Sequence, residues 1–456
     1  MPGLVEPFRL SATRVSALAV TLAMCSVACE GTVVGPSGAA MGSGSETPGA
    51  AATSAAAACQ SSGPSPGPSP IRRLTKLEYD NTVQDLLGDT SQPAQKFTAE
   101  EVGLGFTNNA DVQNVSDLLV EQYETAASEL AASAVQDLPS LLGCDPAVTG
   151  EDDCVRQFLP EFGLRAYRRP LTSPELDRLF GFYQISKQSA DFATGVRLTL
   201  QAVLQSPYFL YRVESGASAS PGVTRVSGYE LASRLSYLFW ASLPDRALLE
   251  AAAAGSLDTA DGVRQQAQRL AQDVLHQRSL SSFFDQWLDL DKLSKSEKDP
   301  TVFPNFTPGI KAAMRKETEL FTSDVAFAGG TLQTLLTADY TFLNQELAAY
   351  YGLSGPSGDT FERASLDPAR RAGLLSQGGL LAAYANVNQT SPVARGFFVR
   401  ERLLCAPPAP PPPTVNAIPP TLDPDLTTRE RFEQHRTDPS CAGCHALMDP
   451  IGFGFE

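Results

Sequence analysis

Thr75-Lys76-Leu77-Glu78-Tyr79-Asp80-Asn81-Thr82-Val83-Gln84-Asp85-Leu86-Leu87-Gly88 reads as a helix with both of its ends written out. Thr75 and Glu78 form a capping box, in which each side chain satisfies a backbone amide the first turn leaves free. Leu77, Val83, Leu86 and Leu87 fall on an inward face, and Gly88 can close the helix in the left-handed conformation. The same start recurs at Thr172-Ser173-Pro174-Glu175 and at Ser227-Gly228-Tyr229-Glu230. Asp367-Pro368 reads as another, with proline at the first helical position. Between Gly262 and Leu293 a long periodic run carries Leu270, Val274, Leu280, Phe283, Phe284, Trp287 and Leu290. No comparable series of alternating β-branched strands appears. The expected fold class is all-α.

A chain of 456 residues is long enough for two to four folding units. Composition shifts at Leu138 to Asp153, Ser215 to Val223 and Ser354 to Glu362 suggest helical domains at 71–137, 152–215 and 223–353, with a last domain at 366–456. Inside the last lies Ala406 to Pro424, with Pro407, Pro408 and the run Pro410 to Pro413. Such a stretch favours polyproline II and reads as a semi-rigid spacer, at about 3.1 Å per residue.

The apolar fraction of 43% and charged fraction of 19% are those of a globular protein. Fifty-one acidic against 35 basic side chains give a net charge of -16, with no basic cluster to offset it. Such a chain repels nucleic acid and anionic lipid, so neither is an expected partner. At the N-terminus Arg9 and Arg14 precede the apolar run Val15 to Ala28, which is too short and too rich in small residues for a membrane span and reads as an export signal. It ends in Ser26-Val27-Ala28-Cys29, which suits lipidation of Cys29; plain signal cleavage is the alternative, because serine fits poorly three places before such a cysteine. The membrane would then be met only through that lipid. Glu30 to Pro70, mostly Ala, Gly, Ser, Thr and Pro, reads as a flexible tether. These signals place the chain outside the cytoplasm, in a periplasm or tethered at a cell surface.

Eight cysteines stand at 25, 29, 59, 144, 154, 405, 441 and 444. Cys25 should leave with the signal, and Cys59 and Cys405 have no evident partner. Cys144 and Cys154 flank a short acidic loop. In an oxidising compartment they read first as a disulfide, the alternative being two buried thiols. Cys441-Ala442-Gly443-Cys444-His445 is the attachment pattern for haem c. Two thiols at this spacing match the two haem vinyl groups, and the adjacent histidine can present an imidazole nitrogen to the iron. Small residues at 442 and 443 let the backbone approach the ring edge. Two other readings remain. A structural zinc site would need Cys405 or His435 as a fourth ligand, and a redox dithiol would want a βαβ context that is absent.

Candidates for a second iron ligand are few. Met448, three residues after His445, shares its helix face, whereas axial ligands approach from opposite sides of the ring, so it reads as haem-edge packing unless a sharp turn at Asp449-Pro450 carries it round to the far side. His435 has slack to fold back, its other reading being a solvated side chain beside Arg436. His276 and Met314 read as ordinary helix-face residues, and an open or water-bound iron is a further alternative. The segment Thr427 to Glu456 is too short to enclose a haem unaided. It is therefore expected to dock on the stretch Arg371 to Leu404, with Leu374, Leu381, Tyr384 and Phe398 as candidate wall residues. Arg168-Arg169-Pro170 reads as helix-end arginines paired with local carboxylates rather than an anion site. Asp152-Asp153, and Glu317 with Glu319, show no spacing that singles out an acid–base pair. With three histidines in the chain, a Ser-His-Asp reading fails.

Longer motifs carry a resemblance. Arg72-Arg73-Leu74-Thr75-Lys76-Leu77-Glu78-Tyr79, Phe162 to Leu171, Ser206 to Arg212, Leu231 to Trp240, Thr390 to Gly396 and Met448-Asp449-Pro450-Ile451-Gly452-Phe453 are the residues that carry it. They resemble the exported multi-domain proteins of planctomycetes and myxobacteria that string domains of unknown function together with a planctomycete-type cytochrome c domain. The resemblance implies a helical fold and a haem, but no established reaction. It also implies a further domain beyond Glu456, which could supply a haem ligand. The expected function is electron transfer with a redox partner protein, or service to an extracytoplasmic oxidoreductase. The alternatives are a binding scaffold in which haem is structural or vestigial, and a haem enzyme with an open site.

Overall fold

Thr75, Thr172 and Ser227 each cap a helix through the expected reciprocal bonds with Glu78, Glu175 and Glu230. The helix Lys76–Leu87 ends at Gly88 with φ of 76°. Its buried face is broader than the leucines suggest, since Tyr79, Asn81 and Thr82 join Val83 and Leu86 inside. The computed structural model describes residues 67–220, 223–409, 423, 425–433, 437 and 439–456. The signal and most of the tether, with Cys29 and Cys59, lie outside the described residues, as do His435 and most of the spacer.

Helices dominate. Among the described residues every sheet has two strands, so no sheet forms a layer of the fold. One pair joins Arg72–Arg73 to Tyr211–Arg212, antiparallel, with Arg72 opposite Arg212. Around it one core gathers Leu74, Tyr79 and Val83, then Tyr123 and Leu130, then Phe158, Leu200 and Phe209. A second core lies between the helices Gly228–Trp240, Arg246–Ala253 and Ala260–Gln272, where the Trp240 indole N–H donates to the Leu270 carbonyl at 3.0 Å. A third packs Ile310 and Met314 of the helix Pro308–Phe327 against Leu343 and Leu347. Beside it, strand Tyr340–Leu343 pairs with Glu362–Ser365. Among the described residues no helix is long and apolar enough to cross a membrane.

Two local expectations are corrected. The run Gly262 to Leu293 is three helices, Ala260–Gln272, His276–Leu288 and Asp291–Lys295. The first break falls at Asp273, whose carboxylate accepts the Leu275 amide at 2.9 Å and so competes with helix continuation. Val274, at that break, is exposed rather than inward. Asp367-Pro368 starts a single turn and no helix: the Arg370 and Arg371 amides both donate to the Asp367 carbonyl at 2.9 Å. The chain then turns away at Gly373, with φ of 58° and the Leu335 and Leu336 carbonyls where a side chain would stand.

Candidate haem site

The helix Pro439–Gly452 carries Cys441, Cys444, His445, Met448 and Asp449. Positions i, i+3, i+4, i+7 and i+8 fall along one side of a helix, so the two thiols, the imidazole and the carboxylate share a stripe. This helix lies against Pro392–Phe398, and the contact is backbone on backbone. A side chain on Gly396 would overlap the Met448 carbonyl, and one on Gly452 the Pro392 carbonyl. Glycine at both points lets the axes approach.

The end of the segment is tied down from the same helix. Arg395, buried, donates to the Phe455 carbonyl at 3.0 Å and to the Glu456 carboxylate at 2.8 Å. Its other terminal nitrogen reaches the Leu381 carbonyl at 3.3 Å, and the Thr390 hydroxyl donates to Glu456 at 2.6 Å. A short helix Thr428–Arg431, opened by a Thr427–Glu430 capping box, sets Phe432 edge-on to Phe453 at 6.4 Å. The Arg429 guanidinium sits 4.4 Å over the Phe453 ring. The segment thus docks on the stretch Arg371 to Leu404. Of the expected wall, the Tyr384 and Phe398 rings lie tilted against each other with centroids 4.5 Å apart, and the Tyr384 hydroxyl donates to the Leu288 carbonyl at 3.2 Å. Those two groups are core between this stretch and the preceding helices. Leu374 is fully buried, and Leu381 half-buried.

Within the stripe, Cys441 and Cys444 are partly exposed and in no disulfide. A side chain placed on Gly443 would meet nothing within 4 Å, so the backbone between the thiols faces open space. His445 turns Nδ1 to the Asp449 carboxylate, 3.0 and 3.1 Å from its two oxygens. Asp449 is 0% exposed and the His445 side chain 17%. Two accessible thiols at the vinyl spacing, open backbone beside them and an imidazole oriented through one nitrogen fit a covalently held haem. Cys441 and Cys444 would carry it, and His445 Nε2 would face its iron. No group of three or more His, Cys, Asp or Glu side chains among the described residues is arranged to hold a bare metal ion.

The other candidates fall out as follows. Met448 is buried in the helix that bears His445, one turn on, and side chains so placed approach a ring from one side. Met314 is buried in the third core. His276 has both ring nitrogens buried against Phe327, and burial lowers its pKa. Cys144 and Cys154 are joined as a disulfide, with Cys154 in the first core. Arg169 forks onto Glu175 at 2.8 and 3.0 Å and holds that carboxyl down to about 2. Arg168 does something the sequence did not signal: with φ of 59° it turns inward and donates to the Tyr208, Phe209 and Tyr211 carbonyls at 2.6, 3.2 and 2.7 Å. Glu317, bland in sequence, is wholly buried under the Thr341 hydroxyl at 2.7 Å and the Tyr351 hydroxyl at 2.6 Å. Burial pushes its carboxyl up to about 7. Asp449 was also missed as a site residue; its signal was the spacing His-x-x-x-Asp directly after the thiol pair.

Four family models match the chain in succession. PSD3, protein of unknown function DUF1587, covers residues 72–136, and PSD5, DUF1595, covers 154–214. PSD4, DUF1592, covers 226–353, and PSCyt3, DUF1588, covers 371–456. No curated protein matches the chain, and no solved structure does. The last match contains the whole thiol and histidine stripe and the helix it rests on. The chain belongs to the multi-domain proteins in which these planctomycete-type domains of unknown function are joined to a cytochrome c-type domain.

Proposed function

We propose that this chain is an exported haem c protein that passes single electrons between partners outside the cytoplasm. Cys441 and Cys444 hold the porphyrin, each S–H adding across one vinyl group so that sulfur bonds one carbon and hydrogen goes to the other. His445 binds the iron, which supplies one-electron exchange when present. Export through the N-terminal signal, with Cys29 as the lipidated residue, matches the compartment where such thioethers are made. The observation that carries the reading is the stripe itself: two partly exposed thiols and a histidine whose Nδ1 is already engaged, on a helix seated in the cytochrome c-type domain.

The test is expression of the full chain with a c-type maturation system, followed by denaturation and a haem stain. The wild type should stain, and Cys441→Ala with Cys444→Ala should not. A low-spin iron that cycles between two oxidation states supports electron transfer. A high-spin iron that binds cyanide or peroxide points instead to an open-site enzyme. A colourless wild type refutes the haem reading and leaves a scaffold.

A further inference from the structure

The side of His445 turned away from the proposed iron is the most closely specified part of the site. A His–Asp pair four residues apart on an exposed helix is ordinary and worth little. This pair differs in where its members sit. The carboxylate is 0% exposed and the imidazole 17%, so the ring is backed from the protein interior. The neighbouring residue, Met448, has its carbonyl pressed against Gly396, and Gly452 closes on Pro392 one turn further on. That backbone seam accompanies the exclusion of water from Asp449. Burying a carboxylate is costly unless it is used by a donor, and a donor stands 3.0 Å away at His445 Nδ1.

Resting on the haem reading above, we propose that Asp449 is the positioning residue of the iron-binding histidine: it holds the proton on Nδ1, makes Nε2 the nitrogen that turns its lone pair to the iron, and strengthens that nitrogen as a donor. The reasoning is electrostatic. An imidazole whose N–H points at a neutral carbonyl gains orientation alone. One whose N–H points at an unscreened carboxylate also gains electron density at the opposite nitrogen, because the negative charge favours partial withdrawal of the proton. Stronger donation stabilises ferric over ferrous iron, so the buried carboxylate lowers the reduction potential. It thereby sets which partners can deliver electrons to the site and which can take them.

The experiment uses the full mature chain with haem attached, in the wild type and in Asp449→Asn. Asparagine keeps an acceptor oxygen at Nδ1 but removes the charge. Attached haem is counted first, by the ratio of haem absorbance to protein. The midpoint potential is then measured, along with the iron–histidine Raman stretch of the five-coordinate ferrous form made by photolysing its carbon monoxide adduct. The expected result is equal haem content, a lower iron–histidine frequency and a more positive potential in the variant. A purely structural aspartate would move neither quantity. Equal haem with unmoved stretch and potential overturns the inference and leaves the haem reading intact, whereas a wild type without haem removes both. Should Asp449→Asn fail to fold, the wild-type stretch decides alone. It should lie above that of ferrous haem bound by free imidazole, and a value at or below that reference overturns the proposal.

Discussion

Gly396 and Met448 meet backbone to backbone: the Met448 carbonyl oxygen occupies the space a β-carbon on Gly396 would need. Neither partner at this contact is the far end of a flexible side chain, so the clash cannot be relieved by a rotamer change. Gly396→Ala should force the two helices apart and cost about 1–3 kcal/mol, the range for overpacking. Gly454, whose β-carbon would meet nothing within 4 Å, is the control. Gly454→Ala should leave the denaturation midpoint of the chain unchanged, while Gly396→Ala lowers it.

Arg395 holds the same segment by charge. Its guanidinium serves the Phe455 carbonyl, the Glu456 carboxylate and the Leu381 carbonyl from a buried position. Removing it strips three acceptors at once, so Arg395→Ala should destabilise by about 3–5 kcal/mol, the loss typical of breaking a buried ion pair. Glu456→Gln, which keeps an acceptor oxygen, should cost less. Urea unfolding of the two variants checks the order.

Glu317 gives the chain a pH signature. Its ordinary value is 4.5, and in the fold it rises to about 7 because burial outweighs the help of Tyr351, Thr341 and Arg371. The folded protein therefore keeps a proton that the unfolded chain releases above about pH 4.5. Its contribution to stability is lost as pH climbs from there to about 7, by up to roughly 3 kcal/mol. Glu317→Gln should melt above the wild type at pH 8, with the advantage vanishing near pH 4.5. Parallel melting curves at all pH values would count against a neutral carboxyl in that core.

The bridge between Cys144 and Cys154 closes a short loop, and on the chain-entropy account it contributes about 3 kcal/mol. Peptide mapping without reductant should recover both cysteines in one linked fragment. The double variant Cys144→Ala with Cys154→Ala should unfold at lower denaturant by that amount. Recovery of both residues as thiols from freshly purified protein would show the bridge to be absent.

What the sequence shows well is what a few adjacent residues decide. The boxes at Thr75, Thr172 and Ser227 and the stop at Gly88 depend on side chains reaching their own turn, so they can be read without a fold. The break at Asp273 defeated periodicity because a local carboxylate captured the backbone where the apolar pattern still ran on. Asp367-Pro368 looked like a start and lacked a helix to start, since Gly373 turns the chain back. In the candidate site the thiols and His445 were plain from their spacing. Asp449 was missed although its spacing was plain, because its burial accompanies the contact of the Met448 backbone with Gly396, which no local pattern announces. Arg168 and Glu317 were hidden for the same reason: their partners at Tyr208, Tyr211, Thr341 and Tyr351 are distant in sequence.

The pairing of Arg72–Arg73 with Tyr211–Arg212 has a consequence for the order in which the chain can mature. Leu74 donates its amide to the Leu210 carbonyl at 2.9 Å, and Tyr79 meets the Phe209 ring edge-on at 5.9 Å. A ribosome makes Leu74 and Tyr79 long before it makes Phe209 and Leu210. The first described helix thus gains its early cover from Phe97 and Tyr123, and the rest of its apolar face is closed only when a distant stretch arrives. The region matched by the first family model and that matched by the second are consequently one kinetic unit. A ribosome stalled between them would release a fragment with half a core, fit for a chaperone or a protease and not for storage.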